Sequence, residues 1–307
     1  MLVRSWLVDC LAAAREGLPE TDEGSSRRWS RFAFISLILL SFASFSARGQ
    51  SAPSISSTSV SSTTDSLALT LATQSLQALT RDTAVSDVTL TGTATQIAGS
   101  WKNTGPATFK ALGTTKSRLD FSAASQHPEH QVQSEIRTLD ASGHPAGAWA
   151  RPDGVKHTVA LHNAFTDAAW FFPALGSLRI ASQSGVVAKY IGAETHNGIA
   201  VKHLRLWRTA DASLAAISSV VPRLSTVDIY LDAKSSLPVA LAFNTHPDKD
   251  LNKDTQVEIR YSDYRQISGI NVPLRVQEYV NNGLVMNFQA NEVIVNSGLT
   301  DAQFGIQ

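Results

Sequence analysis

From residue 87 to the C-terminus, turn residues cut the chain into short β-like runs at close intervals. The runs are VTLTGTATQI, ATFKALG, SRLDFSA, QVQSEIRTLD, VKHTVALH and VVAKYIGAE, then IAVKHLRLWR, TVDIYLD, PVALAFN, TQVEIRYSDYR, INVPLRVQEYV and LVMNFQANEVIV. Gly113, Asp153-Gly154, Asn197-Gly198 and Asn281-Asn282-Gly283 are among the separators. Asn-Gly admits two consecutive residues at positive φ, the geometry of a tight hairpin. Such a succession predicts an antiparallel meander of about eleven or twelve strands. That many twisted strands curl into a barrel or an unclosed half-barrel, because a flat sheet leaves long edges. The expected class is mainly β with a few helices (α+β).

One helix precedes the strands. Asp65 stands where an N-cap belongs, and Leu67, Leu69, Leu71, Leu76 and Leu79 follow with alanines between them. Their spacing predicts an amphipathic helix over 66–80. Two breaks interrupt the strands. The first, 164–183, reads AFTDAAWFFPALGSLRIASQ. Asp167 can cap a short helix there, and Pro173 limits its length. Trp170, Phe171, Phe172, Leu175 and Leu178 in this segment are the candidate ligand-binding residues. They read first as a plug filling the protein's own core and next as a lid over an apolar cavity, and the two readings overlap. The second break, 209–223, is polar at first and then apolar. Strands of the same kind resume after each, so the breaks are insertions in one domain.

The N-terminus has a different character. Arg27, Arg28 and Arg31 precede the apolar run Phe32–Phe45, and Ala47-Arg48-Gly49 follows. A basic region, a short apolar core and a small-x-small site make a secretory signal over 1–49. The run is shorter than the ~20 residues a spanning helix needs. The long stretch before it fits a twin-arginine signal or a start site placed too far upstream, although SRRWSR matches the twin-arginine pattern poorly. Cleavage would remove Cys10, the only cysteine. The mature chain would then have no thiol chemistry and no lipidation site. Residues 50–64, QSAPSISSTSVSSTT, read as a Ser/Thr-rich linker, leaving 65–307 as the folded domain. The expected location is the periplasm or the exterior, as a monomer and not as a lipoprotein. Lys+Arg and Asp+Glu are equal at 26 each, so no basic excess points to nucleic acid.

Motifs for chemistry are sparse. DKDLNKD at 248–254 alternates acids like a calcium loop, but it lies between two strands. The sixth position is Lys253 and the twelfth is Ile259, where an EF-hand needs glycine and a bidentate acid. A solvated hairpin tip is the expectation. His127-Pro128-Glu129-His130 is a compact donor cluster in a polar loop. His157 and His162, five apart in a predicted strand, fall on opposite faces. His196 and His203 flank the Asn197-Gly198 turn and could face each other. Asp228, Asp232, Asp263 and Glu258 could pair as acid and base, or simply line the wet face of a sheet. No nucleophile elbow, H-E-x-x-H or Walker loop occurs. No catalytic residue, metal ligand or cofactor is assigned.

The C-terminal third resembles the LolA-like superfamily of periplasmic lipoprotein carriers and their relatives. The resemblance rests on Asp232, Leu237-Pro238, Tyr261, Tyr264, Gly269-Ile270, Val272-Pro273, Asn296, Asp301 and Phe304. It is close over 225–305 and only outlined over 66–225. It implies an unclosed half-barrel with helices on its concave face and acyl chains held between them. The implied activity is non-enzymatic binding of a lipid or lipoprotein acyl chain in the cell envelope. The alternatives are an envelope sensor or structural protein with a protein partner, and a hydrolase with an unrecognised His/Asp site.

Overall fold

The computed structural model describes residues 63–124, 127–128, 131–166 and 169–305. The predicted signal at 1–49, nearly all of the predicted linker, Glu129, His130 and Asp167 lie outside the described residues. Thirteen strands form one antiparallel sheet. They are β1 (Asp87–Ala98), β2 (Trp101–Leu112), β3 (Lys116–Phe121), β4 (Ser134–Leu139), β5 (Pro145–Ala150), β6 (Lys156–Val159) and β7 (Val186–His196). The rest are β8 (Ile199–Arg208), β9 (Val227–Asp232), β10 (Pro238–Thr245), β11 (Thr255–Ile267), β12 (Ile270–Val280) and β13 (Gly283–Val295). The spatial order is β6-β5-β4-β3-β2-β1-β13-β12-β11-β10-β9-β8-β7. Every neighbour pair but β1–β13 is a consecutive hairpin. The sheet stays open, with β6 and β7 as its edges.

The extra strand is β5, PAGAWA, which the sequence reading left out. It has a proline, a glycine and no β-branched residue, so local propensity argues against it. Pairing on both sides decides otherwise: Arg137 faces Gly147 from β4, and His157 faces Trp149 from β6. The predicted run VKHTVALH is also shorter than expected. Its strand ends at Val159, and Leu161–Ala164 turn into a short helix, α2, the next after α1 (Ser66–Thr80). His157 and His162 therefore sit on different elements, not on two faces of one strand.

The tight turns follow their residues. Asn197 and Gly198 have φ of 49° and 80°, and Asn281 and Asn282 have 47° and 65°. The β1–β13 closure needs Gly92. A Cβ there would stand 2.0 Å from the Gln289 carbonyl oxygen, beside a bulge in the pairing.

Helix α1 (Ser66–Thr80) spans the predicted residues. It buries Ala68, Leu71, Ala72, Ser75 and Leu79, a three-to-four spacing along one face. Leu67 lies off that face and is exposed. Asp65 has the extended backbone of an N-cap, but its carboxylate does not cap. It accepts Lys189 Nζ at 2.8 Å and Tyr190 N at 3.3 Å, fastening the helix start to β7. Two further one-turn helices are α3 (Ser177–Ile180) and α4 (Val221–Leu224). Among the described residues no helix is long and apolar enough to cross a membrane.

Candidate functional site

The connection from β6 to β7, residues 160–185, leaves one edge of the open sheet and reaches the other. Its apolar middle packs into the concave face. Trp170, Phe171, Phe172, Leu175 and Leu178 are all buried in one cluster with α1 and the inward residues of the strands. Phe109 of β2 is the hub. It stacks on Phe288 of β13 at 4.2 Å and takes the edges of Trp170 and Phe171 at 5.5 and 5.2 Å. These are the offset and T-shaped arrangements that ring quadrupoles favour.

A few polar bonds fix the segment. The Tyr261 hydroxyl donates to the Trp170 carbonyl. Asn163 of α2 makes a reciprocal pair with the backbone of His246: Nδ2 donates to its carbonyl at 2.9 Å, and Oδ1 accepts its N–H at 2.9 Å. His162 lies 3.4 Å from Asp248. Asp254 takes Arg223 and, at 3.0 Å, His246 Nε2. The acidic stretch 248–254 is thus the β10–β11 connection, and its carboxylates reach α2, α4 and the end of β10. Burial, with Arg223 nearby, holds the His246 imidazole below its ordinary pKa, against the pull of Asp254.

Two cavities adjoin at the mouth between the sheet's edges. One, of about 40 Å³, is lined by Arg137, Leu139, Ile180, Leu206 and Arg208 among others. The second, about 390 Å³, shares Pro145, Phe165 and Arg208 with it and opens toward His144 and Asp211. The apolar one is far below the ~300–1,000 Å³ of typical ligand sites. The five candidate residues line neither cavity. Their flanks do, through Phe165, Ser177 and Ile180.

The other candidates scatter. His196 and His203 do not face each other, since the pairing sets His196 against Ile199 and His203 against Gly192. His196 instead stacks on Tyr230 at 3.7 Å, and His203 lies tilted against the same ring at 4.5 Å. Burial, with Asp228 nearby, pushes the Tyr230 phenol up to about 12. Burial opposes the charge on Asp228, yet hydrogen bonds from His203 and Arg205 hold its carboxyl below the usual range. Glu258 is held low against the same burial by Arg260, Asn197 and His196. Asp232 accepts the backbone N–H groups of Lys234 and Ser235 in its turn. Asp263 pairs with Arg265 at 3.0 Å. The four acids thus have separate partners. Among the described residues no group of three or more His, Cys, Asp or Glu is placed to hold a metal.

Comparison with solved structures settles the architecture. A domain from Vibrio parahaemolyticus named for outer-membrane lipoprotein sorting superposes with a TM-score of 0.50 and 14% identity, over 78% of this chain and 96% of that one. The chain has the LolA-like fold. A LolA superfamily protein from Nitrosomonas europaea gives a TM-score of 0.47 at 12% identity, over 78% of this chain and 97% of that one. A DUF1329 family protein from Desulfovibrio piger gives 0.48 at 14%, over 78% and 96%. No family model matches the sequence, and no curated protein does.

The residues that carried the LolA-like resemblance have structural work here. Asn296 accepts Ser86 N at 2.8 Å and donates to the Ala84 carbonyl at 2.7 Å, closing β13 onto the start of β1. Tyr264 donates to the Pro238 carbonyl at 2.7 Å, and its burial raises its pKa. Sequence reasoning missed the Asn163–His246 pair, the Tyr261 tether and Arg137. Only Tyr261 stood in a recognised pattern, Tyr-x-x-Tyr, and nothing local showed that its hydroxyl meets residue 170.

Proposed function

We propose that this chain is an exported, non-enzymatic, monomeric binding protein for an apolar ligand, a lipid or a lipoprotein acyl chain, in the cell envelope. One observation carries the reading. The concave face of an open sheet is filled by an inserted aromatic segment, tied down by a few polar bonds beside a cavity at the sheet's mouth. A ligand entering there would displace water and take the place of Trp170, Phe171, Phe172, Leu175 and Leu178 against the strands, which would then close over it. The segment acts as a plug when empty and a lid when loaded. The name of the Vibrio domain, which speaks of outer-membrane lipoprotein sorting, supports this reading. Export is supported by the basic, apolar and small-residue succession ending at Gly49.

Each ring of the segment contributes roughly 1.5–3 kcal/mol when buried. Stability alone therefore does not separate a fixed plug from a lid, and ligand binding does. Phe172→Ala should weaken binding of a fluorescent fatty-acid probe about tenfold, the equivalent of 1.4 kcal/mol, and keep the far-UV spectrum of an antiparallel sheet. Outright unfolding of the variant would favour the fixed plug. A wild type that takes up no apolar probe would remove the carrier reading. It would leave a protein partner as the better account, with exposed Ile191 and Ile199 near the β7 edge as apolar surface for it.

A further inference from the structure

Arg137 lies on the concave side of β4, opposite the buried Ser117 of β3 and Gly147 of β5. It is only 4% exposed. Its Nη2 stands 3.0 Å from Glu135 Oε1 on the same strand. Its Nε and Nη1 are buried and meet no acceptor among the described residues. Such donors are rare in folded proteins, because they have lost water and gained nothing in return. Gly147 makes room for the group: a Cβ there would lie 2.8 Å from Arg137 Nη1.

Arg137 is among the residues lining the small apolar cavity, and Arg208 is another. Among the described residues the lining holds two arginines and no acidic residue, while Glu135 pairs with Arg137 on the same strand. The remaining wall is largely apolar, with Leu139, Ile180, Val186 and Leu206. Ser177 and Ile180 of α3 are in this wall, so the C-terminal flank of the aromatic segment reaches the cavity.

We propose that Arg137 receives the anionic head of an amphiphile, a carboxylate or phosphate ester, whose acyl chain runs along the path of residues 164–183. The inference rests on the apolar-ligand reading and adds the charge of the head to it. A turn of the Arg137 side chain toward the cavity would bring Nε and Nη1, now closed off from it, to an anionic oxygen, and charge-assisted bonds of this kind are short and strong. Arg208 adds attraction at the same wall. Glu135 is the internal competitor: it occupies Nη2 and neutralises the site until a ligand arrives.

Palmitate and hexadecanol have the same chain length and differ in head charge. Each can be titrated, below its aggregation limit, against the purified protein loaded with the neutral dye N-phenyl-1-naphthylamine. The wild type should bind palmitate at least about tenfold more tightly than hexadecanol. Arg137→Met should abolish the difference by weakening palmitate at least about tenfold more than hexadecanol. Glu135→Gln should tighten palmitate several-fold and leave hexadecanol unchanged. Acetate and inorganic phosphate should not displace the dye. Equal binding of the two long-chain ligands by the wild type would overturn the head-group site while leaving the apolar-ligand reading intact. Binding of neither would overturn both. Displacement of the dye by inorganic phosphate alone would overturn the amphiphile in favour of a free-anion site. Should Arg137→Met fail to fold, Glu135→Gln decides the matter, and no gain for palmitate would overturn the proposal.

Discussion

The concave face has two ends built on opposite principles. Under β1, β2 and β13 it is aromatic and fully packed, with Phe109, Phe171, Phe172 and Phe288 almost without solvent exposure. Under β4, β5 and β8 it holds an ion pair, a second arginine and unfilled volume. Both ends are lined by the inward residues of the same sheet. The difference lies in what covers them. The middle of the 160–185 connection carries rings and leucines, whereas its flanks carry Asn163, Thr166 and Ser177. A packed centre resists change because every lost methylene leaves a void. A polar, partly empty end can exchange one partner for another at little cost, which suits the place where a ligand first arrives.

The largest effect should come from the packed end. Phe109→Ala removes the hub of four rings and should cost about 3–5 kcal/mol in denaturant unfolding. Leu139→Ala, at the rim of the cavity and 39% exposed, should stay within ~1 kcal/mol of wild type. Similar losses at both positions would erase the distinction between the two ends.

A smaller effect should appear with pH at the polar end. The native His246 pKa lies below its unfolded value of ~6.5. As pH falls below that value, the unfolded chain takes up a proton that the native protein refuses, so stability rises with pH in this window and falls as it is acidified. Thermal melting from pH 7 toward pH 5 should show the fall. His246→Gln should flatten part of it, since the Asn163 pair uses the His246 backbone and survives the change. An unaltered slope in the variant would place the proton uptake elsewhere.

The smallest effect is expected at the hairpin beside that histidine. Calcium or chelator should leave the melting midpoint unchanged, because 248–254 lacks the glycine and the bidentate acid, and Asp254 already has Arg223 and His246. An upward shift of several degrees at micromolar calcium would show that these carboxylates prefer a metal to their present partners.

Short-range physics made much of this molecule legible in its sequence. Asn197-Gly198 turns tightly because both residues tolerate positive φ, and no distant contact is needed to say so. The 66–80 helix and most strands follow from side-chain periodicity, which is a property of neighbouring residues. The aromatic segment stood out by composition alone, as an apolar insertion between strands.

Other features depended on pairings that local rules do not contain. β5 exists because its neighbours supply hydrogen bonds on both sides, overriding the poor propensity of PAGAWA. Asp65 leaves the helix it should cap for Lys189, 124 residues away. Arg137 reads in SEIRTL as an ordinary surface arginine, since alternation along a strand tells which residues share a face but not which face is covered. That is fixed by the sheet's curvature and by the connection that returns across it. The sequence by itself therefore determined most of the strands, the turns and the presence of an apolar insert. Only the tertiary structure decided that the insert fills the concavity and that a buried guanidinium waits beside it, because burial depends on atoms brought together from distant parts of the chain.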